Sequence, residues 1–386
     1  MNPIMAPTSA MIPVARPFIG TEEEHAVVDA LRSGWITQGP RVAEFEKKFS
    51  NYIGCDHSVA VSSCTTALHL AMVACNIGPG DEVICPSLSF IATANSITYV
   101  GATPVFCDID PTTFNLDPLK LEEQITAKTK AILVVHQIGL PAEMSIICEI
   151  AQKHRLTIIE DAACAIGSEY EGERIGSPLG TVACFSFHPR KILTTGEGGM
   201  ITTKDANLAE RLRKLRQHAM SLSDVIRHSA KEVTTETYEE VGYNFRMTDI
   251  QAAIGNVQLE RLPEFLERRR YLAARYDQAL KPLSWLETPH VPANCLHNYQ
   301  SYMVRLKGAA AVKRDAIMQE LLEKKISTRR AIMATHREPP YRSGNWDAAL
   351  PQTNLIAETA LILPLFHQFS EADQDHVLEA LYSISV

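Results

Sequence analysis

Short apolar segments alternate with amphipathic helical segments through the first half of this chain. The apolar segments are continuous runs without the every-second-residue pattern of a strand with one exposed face, so both faces of each strand should be buried. This alternation predicts an α/β fold with a mostly parallel central sheet and helices on both of its faces. The predicted strands cover residues 58–62, 82–86, 104–107, 131–135, 156–160, 182–187 and 200–202.

The pattern changes beyond Pro282, where a strand at 302–306 is followed by two helical segments. We therefore predict a smaller α+β domain in the C-terminal region. Residues 1–255 are expected to form a large α/β domain with an N-terminal arm, and residues 256–386 a long connecting helix and the small domain. Helical content over 248–280 is expected to be interrupted at Pro263, because proline removes a backbone donor.

Composition argues against several functional classes. The chain of 386 residues has a formal net charge of −8, which disfavours general nucleic-acid binding through a basic surface. Nine scattered cysteines without a C-x-x-C pair favour a reducing compartment over a disulfide framework. No apolar run is long enough to span a bilayer, and no secretory signal is visible. We expect a cytoplasmic protein with no metal site and no membrane or nucleic-acid partner.

A single lysine, Lys191, closely follows the predicted strand at 182–187. Ligands in open α/β sheets bind at the carboxyl ends of strands, and a lysine desolvated there loses its proton readily and can form a Schiff base. The alternative is an ordinary solvated lysine in a connecting loop. His188, three residues earlier, either lies near this site or turns the chain.

A carboxylate, Asp161, directly follows the preceding predicted strand. It either caps a turn or faces a ligand. A lysine and a carboxylate at neighbouring strand ends fit pyridoxal phosphate, which needs one for covalent attachment and the other at its ring nitrogen. Thr65 and Thr66 open a predicted helix, where N–H groups can hold a phosphate, although ordinary capping explains hydroxyls there too. Phe90 either stacks on a ring or belongs to the core.

Taken together, the residues resemble the DegT/DnrJ/EryC1/StrS family, the fold-type I sugar aminotransferases that depend on pyridoxal phosphate. The resemblance rests on segments that span nearly the whole chain in the family's order. They are Gly34–Pro40, Ser62–His69, Gly78–Val83, Pro86–Thr93, Gly101–Val105, Glu160–Ala163, Ser186–Lys191, Thr195–Gly199 and Gly242–Ala253. The resemblance implies a fold-type I aminotransferase architecture and pyridoxal 5'-phosphate as cofactor.

The resemblance also implies roles for individual residues. Lys191 would bind the cofactor covalently and carry protons, and Asp161 would pair with the ring nitrogen. The other implied cofactor contacts are Phe90 on the ring, Thr65, Thr66 and Ser186 at the phosphate, and Asn244 from the neighbouring subunit with Arg246 close by. A homodimer with shared active sites follows. Cys164 replaces the family's usual Gln or His at the cofactor's ring hydroxyl, and a thiol is a weak hydrogen-bond donor.

Residues that face the substrate are expected in the segment 326–336. Family members place sugar-nucleotide contacts there, which implies such a role for Arg329, Arg330 and His336. Arginines can bind a diphosphate through paired hydrogen bonds. A solvated basic face after a helix explains the two arginines equally well.

The implied activity is transfer of an amino group from glutamate to a nucleotide-linked keto-deoxysugar, giving an aminosugar for polysaccharide or glycosylated natural-product synthesis. Some relatives have histidine in place of the lysine and catalyse dehydration, which Lys191 argues against. The main alternative is an aminocyclitol aminotransferase that acts on a keto-inositol, or a related pyridoxal phosphate enzyme. A catalytically silent regulatory or binding protein is disfavoured, because the lysine and the aspartate are both present.

Overall fold

A seven-stranded sheet forms the centre of the protein in a computed structural model, which describes residues 11–221 and 235–385. A four-stranded sheet and a sheet of three short strands accompany it. The strands are β1 (His57–Val61), β2 (Glu82–Pro86), β3 (Thr103–Cys107), β4 (Thr129–Val135), β5 (Thr157–Asp161), β6 (Glu169–Tyr170), β7 (Glu173–Arg174), β8 (Val182–Ser186), β9 (Gly199–Thr203), β10 (Leu286–Glu287), β11 (Cys295–Leu296), β12 (Tyr302–Leu306), β13 (Arg329–Arg330) and β14 (Ala360–Leu363).

Helices surround these sheets. The α-helices are Thr21–Arg32, Pro40–Ile53, Cys64–Ala74, Ala92–Tyr99, Met144–His154, Ala206–Leu215, Asp249–Leu280, Arg314–Glu323, Trp346–Ala349, Pro351–Thr359 and Glu371–Tyr382. Short 3₁₀ helices cover Pro118–Lys120, Glu122–Gln124, Gln137–Gly139, Gly308–Lys313, Thr335–Arg337 and Pro339–Tyr341. Within the described residues, no helix combines the length and the apolar composition needed to cross a membrane.

The strands of the central sheet follow the order β1-β9-β8-β5-β4-β2-β3. Every neighbouring pair from β8 to β3 is parallel, whereas β9 is antiparallel to both β1 and β8. The predicted mostly parallel sheet is confirmed. The antiparallel strand arises because the chain turns back after β8 without the helical crossover that a parallel return usually needs. The connecting loop, residues 187–198, carries Lys191 past the carboxyl end of β8.

Apolar layers cover both faces of the central sheet. Side chains of β8 alternate between them, with Phe185 in one layer and Cys184 in the other. On the first face, Phe49 meets Phe185 with ring centroids 5.1 Å apart. The second face is covered by the helices Cys64–Ala74, Ala92–Tyr99 and Ala206–Leu215. Burial on both faces explains why these strands are continuous apolar runs in the sequence.

The helix Asp249–Leu280 joins the central sheet to the C-terminal region. Thr248 caps its start and accepts a hydrogen bond from the Gln251 N–H at 3.2 Å. The predicted interruption at Pro263 is wrong, because the helix continues through this residue. Pro263 is exposed, so water can bind the carbonyl group that loses its partner inside the helix.

This long helix contributes to two separate cores. Leu262 and Phe265 pack under the central sheet, whereas Leu272 and Tyr276 pack under the C-terminal sheet. The change of core thus falls inside the helix. The division of the chain into residues 1–255 and 256–386 stays a prediction.

The C-terminal sheet is antiparallel throughout, in the order β10-β12-β14-β13. Ile317 and Val377 from two helices share its core, which confirms a smaller α+β part. The segment before the first helix joins this core through Ile12, whose N–H donates to the Lys325 carbonyl at 2.9 Å. In the central α/β part, the sequence pattern of residues 117–125 predicts a helix, but the structure has a pair of 3₁₀ turns there. The polar, poorly periodic sequence of residues 220–240 predicts a long loop, most of which lies outside the described residues.

Candidate active site

Lys191 lies in the loop between β8 and β9. Its N–H donates to the His188 carbonyl at 2.8 Å, which closes a turn directly after the strand. The buried residue Gln300 brackets the lysine, because its amide donates to the Arg190 carbonyl at 2.6 Å and its oxygen accepts from the Ile192 N–H at 3.1 Å. The backbone is therefore fixed on both sides of the lysine.

The amine of Lys191 lies next to the residues that follow β5. Its Nζ donates a hydrogen bond to Sγ of Cys164 at 3.0 Å. Burial by itself lowers the pKa of Lys191, but interactions with Cys164, Cys64 and Asp161 outweigh it, so the pKa lies above its ordinary value. The site therefore favours a protonated amine.

Asp161 ends β5 in the middle of the central sheet and is 7% exposed. Its carboxylate accepts hydrogen bonds from Oγ1 of Thr93 at 2.9 Å and from the Ala163 N–H at 3.2 Å. Burial raises the pKa of Asp161, although these two hydrogen bonds and Lys191 oppose the shift. A carboxylate buried in this way gains most from a cationic partner.

The helix Cys64–Ala74 begins at the same edge of the sheet. Ser63 caps it, accepting a hydrogen bond from the Thr66 N–H at 3.1 Å. The Thr66 hydroxyl donates to the Ser63 carbonyl at 2.8 Å and so takes part in the cap. The N–H groups of Cys64 and Thr65 belong to the first turn, which has no intrahelical acceptors for them. Such a helix start is suited to an anion.

Gly199, at the start of β9, packs directly against this helix start. A Cβ at this position would lie 2.5 Å from the Ser63 carbonyl oxygen and 2.8 Å from the Cys64 nitrogen. Only glycine permits this close approach. Ser186 pairs with Gly199 across the β8–β9 register. The structure thus brings Ser186 together with Thr65 and Thr66, the three residues predicted at the phosphate.

His188 shapes the turn that leads to Lys191. Its Nδ1 accepts a hydrogen bond from the Arg190 N–H at 3.2 Å. Burial lowers the pKa of His188, and Arg190 and Lys191 lower it further against the opposing charge of Glu197, so the ring is neutral at neutral pH. These contacts agree with the chain-turning alternative, and a substrate contact for His188 stays a prediction.

Phe90 is 69% exposed, which is incompatible with the core alternative. Its loop is tied to residues 334–336, since the Thr335 hydroxyl donates to the Ser89 carbonyl at 3.0 Å. Beneath the loop, His336 is 3% exposed, and its Nδ1 lies 2.7 Å from Oγ of Ser87. The Ser87 oxygen also accepts a hydrogen bond from the His336 backbone N–H at 3.0 Å. His336 therefore supports the loop that presents Phe90.

The outer side of His336 lines a cavity of about 300 Å³, together with Arg337, Arg342, Gly344, Trp346 and Asp347. Nε2 of His336 lies 3.1 Å from a carboxylate oxygen of Asp347. Because a carboxylate can only accept a hydrogen bond, Nε2 of His336 is the donor in this contact. A direct contact between His336 and substrate stays a prediction.

Arg329 and Arg330 have different surroundings, as expected for successive residues of a strand. Arg330 forms an ion pair with Asp315 at 2.7 Å. Burial lowers the pKa of Arg329, and the positive charge of Arg190 lowers it further. The structure thus brings Arg329, rather than Arg330, toward the loop that carries Lys191.

Asn244 and Arg246 lie on the segment before the long helix. Nε of Arg246 donates to Oδ1 of Asn244 at 3.1 Å, and Asn244 is exposed. The same segment is attached to the phosphate-side loop, because the Ser62 N–H donates to the Phe245 carbonyl at 2.8 Å. An exposed asparagine at this place is accessible to a second subunit.

Sequence reasoning missed three buried residues that support the site. Thr93, which holds Asp161, is itself 2.7 Å from the Ser89 hydroxyl and lies within the segment 86–93 that carried the family resemblance. Gln300 and Asn298 come from the loop before β12, where no sequence pattern marks them. The amide of Asn298 donates to the Cys164 carbonyl at 2.7 Å. Their role follows only from the tertiary structure.

These side chains fit pyridoxal phosphate. The site combines an amine, a buried carboxylate and a helix start flanked by hydroxyl groups, which are the groups that this cofactor's aldehyde, ring nitrogen and phosphate require. Among the described residues, no group of three or more His, Cys, Asp or Glu side chains is arranged to hold a metal ion. All nine cysteines are free thiols.

Known proteins share both the sequence and the fold. The sequence profile of the DegT/DnrJ/EryC1/StrS aminotransferase family matches residues 17–382. GDP-perosamine synthase from Caulobacter vibrioides is 44% identical over 382 residues, covering 97% of this chain and 98% of that protein. Spore coat polysaccharide biosynthesis protein SpsC from Bacillus subtilis is 41% identical over 377 residues, covering 97% of each.

Among solved structures, the PMP form of Spr1654 from Streptococcus pneumoniae has a TM-score of 0.90 at 32% identity, covering 96% of this chain and 98% of that chain. Spr1654 has also been solved in PLP and apo forms. The family match, the two relatives and this structural similarity agree with each other and with the arrangement around Lys191. The chain therefore belongs to the DegT/DnrJ/EryC1/StrS aminotransferase family.

Proposed function

We propose that this protein transfers an amino group from glutamate to a nucleotide-linked keto-deoxysugar, with pyridoxal 5'-phosphate bound at Lys191. The observation that carries the proposal is the pair of Lys191 and Asp161 at neighbouring strand ends, in a chain 44% identical to GDP-perosamine synthase. The product would be a nucleotide-linked aminosugar for polysaccharide or glycosylated natural-product synthesis.

Each residue of the pair has a defined task. Lys191 binds the cofactor and, as a free amine, carries a proton at Nζ to and from the reacting carbon. Asp161 keeps the ring nitrogen protonated, and Thr93 fixes the orientation of this carboxylate through its 2.9 Å hydrogen bond. When bound, the cofactor supplies an electron-accepting ring that stabilises the charge left on carbon after proton removal.

The start of the helix Cys64–Ala74 binds the phosphate, with Thr65, Thr66 and Ser186 as side-chain ligands.

Two exposed residues beside the site support a homodimer with shared active sites. Phe90 is 69% exposed and Asn244 is exposed as well, although both belong to segments that adjoin the site. A second subunit that covers this surface would bury Phe90 against the ring and bring its own Asn244 to the phosphate.

The substrate's diphosphate is assigned to Arg329 together with Arg190. Both arginines are exposed at the rim of the lysine loop, and each has a positive neighbour in the other. A bound anion relieves this repulsion, since arginine pairs with phosphate through two parallel hydrogen bonds. Arg330 is already neutralised by Asp315 and has a smaller part.

Nitrogen transfer tests the proposal directly. The purified protein, loaded with pyridoxal 5'-phosphate, is given ¹⁵N-glutamate and a panel of GDP-, dTDP- and UDP-linked 3-keto and 4-keto sugars, with keto-inositols in parallel. Mass spectrometry should find ¹⁵N in at least one sugar nucleotide, and the GDP-linked ketones come first because of the relative at 44% identity. Labelling of keto-inositols alone would contradict the proposal.

A further inference from the structure

The thiol of Cys164 makes the closest polar contact of the Lys191 amine, with Nζ and Sγ 3.0 Å apart. We propose that Cys164 is a positioning residue for Lys191. The Cys164 sulfur accepts a hydrogen bond from the Lys191 ammonium group, and this contact makes the lysine a stronger base. The significance of this contact rests on the proposed function, in which Lys191 carries protons during amino transfer. The family resemblance assigns Cys164 only to the ring hydroxyl of the cofactor.

The position of Cys164 is fixed by its surroundings. The Asn298 amide donates to the Cys164 carbonyl at 2.7 Å and to the Ile166 carbonyl at 2.9 Å, and Asn298 is completely buried. Gly139 makes room for this arrangement. A Cβ on Gly139 would lie 2.9 Å from the Cys164 carbonyl oxygen and would also clash with the Asn298 side chain. The backbone of Cys164 is therefore held so that its sulfur faces the lysine.

Ionisable groups on several elements lie near the Lys191 amine, including His188 in the same loop. Asp161 comes from the end of β5, Cys164 from the turn after β5 and Cys64 from the first turn of the helix Cys64–Ala74. Of the two thiols, Cys164 is the one that accepts the Nζ hydrogen bond, whereas Cys64 donates to the Cys184 carbonyl at 3.7 Å. Cys64 thus offers a matched control for Cys164.

The direction of the hydrogen bond decides the effect of Cys164. If the ammonium donates to sulfur, the contact stabilises the charged amine and raises the pKa of Lys191. If the thiol donates to a neutral amine, the contact lowers it. The nearby carboxylate of Asp161 favours the first arrangement, because it stabilises positive charge on the amine. Burial lowers the pKa of Lys191, and the contact with sulfur opposes this effect. Without the sulfur, the pKa of Lys191 would therefore fall.

The pKa of Lys191 can be measured without cofactor turnover. The full-length protein is freed of cofactor, the form in which Spr1654 has also been solved. It is then labelled with trace acetic anhydride across a pH series, and peptide mass spectrometry gives the acetylated fraction of Lys191 relative to the exposed Lys204. Only the neutral amine reacts, so the midpoint of the profile reports the pKa.

In Cys164→Ala the midpoint should fall by about one pH unit, which means about tenfold more neutral Lys191 at a fixed pH below the midpoint. Cys164→Val, which fills the place of the thiol without accepting a hydrogen bond, should shift it in the same direction. Cys64→Ala should give a clearly smaller shift. Circular dichroism confirms the fold of each variant.

An unchanged or higher midpoint in both Cys164 variants would overturn the proposal, as would an equal shift in Cys64→Ala. Uptake of pyridoxal phosphate by the wild-type protein tests the proposed function separately. If wild type takes up no pyridoxal phosphate while Cys164→Ala still shifts the midpoint, the contact is real and the proposed function fails. The expected shift together with cofactor uptake supports both.

Discussion

Replacement of Asp161 by asparagine should separate stability from function at the candidate site. The pKa of Asp161 is raised by burial, so its ionised form costs folding free energy at pH values above that raised pKa. An asparagine removes this charge. Its oxygen can accept the Ala163 N–H, and its amide can donate to Thr93, whose hydroxyl can turn to Ser89. Cofactor-free Asp161→Asn should therefore unfold at the same or a higher temperature than wild type.

The same substitution should weaken cofactor binding. A hydrogen bond between charged groups contributes about 1.5–3 kcal/mol, so loss of the carboxylate at the ring nitrogen should raise the Kd of pyridoxal phosphate roughly ten- to 150-fold. At saturating cofactor, the stabilisation that the cofactor confers should fall by the same free energy. Amino transfer should fall further still, because the uncharged amide cannot keep the ring nitrogen protonated.

Glu160→Gln provides the matched control. Glu160 is the preceding residue of β5, and it accepts hydrogen bonds from Nε2 of His136 at 3.1 Å and from the Gly180 N–H at 2.8 Å. Nδ1 of His136 accepts the Ala142 N–H, so Nε2 is a donor. A glutamine can accept only one of the two donors. Glu160→Gln should lose roughly 1–3 kcal/mol of stability and keep its affinity for the cofactor.

Thermal unfolding with and without pyridoxal phosphate, combined with a Kd from absorbance titration, measures both effects. If Asp161→Asn were clearly destabilised without cofactor and bound the cofactor as tightly as wild type, Asp161 would be a structural residue. The assignment to the ring nitrogen would then be refuted.

Three further variants extend the test. Arg329→Ala should raise KM for the nucleotide sugar about tenfold through loss of a phosphate contact. Arg330→Ala breaks only an exposed ion pair, so its KM should stay within about twofold of wild type. Equal KM values for the two variants, measured from initial rates, would contradict the assignment of the diphosphate to Arg329. Gly199→Ala should lower the free energy of unfolding by about 1–3 kcal/mol, because the added methyl group overpacks against Ser63. The variant should also release cofactor faster on dialysis. Unchanged cofactor retention would exclude a role of this close packing in phosphate binding. Phe90→Ala should leave the secondary structure intact by circular dichroism while weakening cofactor affinity by about 1 kcal/mol in titration; unaltered affinity would exclude ring stacking.

Much of the central sheet could be predicted from the sequence, because strands buried on both faces have to be continuous apolar runs. The antiparallel direction of β9 could not be predicted, because the short apolar run at 200–202 is compatible with a parallel or an antiparallel strand. The path of the loop between β8 and β9 determines which of the two forms. The predicted interruption at Pro263 is wrong because tertiary packing is decisive there as well. Proline usually ends a helix, but here packing of Leu262 and Phe265 on the buried side holds the helix together.

The candidate site was predictable where residues follow strand ends. Lys191, Asp161 and the Ser62–Thr66 segment all lie at positions that the order of strands brings to one edge. The supporting residues Gln300 and Asn298 were not predictable, because a hydrogen bond across more than a hundred residues leaves no local pattern. The different surroundings of Arg329 and Arg330 likewise depended on which side of a two-residue strand faces the site.

Covalent trapping of the cofactor shows which lysine binds it. Wild-type protein loaded with pyridoxal 5'-phosphate is reduced with borohydride, digested and mapped by peptide mass spectrometry. We expect a pyridoxyl label on the peptide that contains Lys191, no label there in Lys191→Ala, and loss of the label when glutamate is added before reduction. A label on another lysine would show that Lys191 does not hold the cofactor, and a label at Lys191 that glutamate does not remove would show that glutamate is not the amino donor.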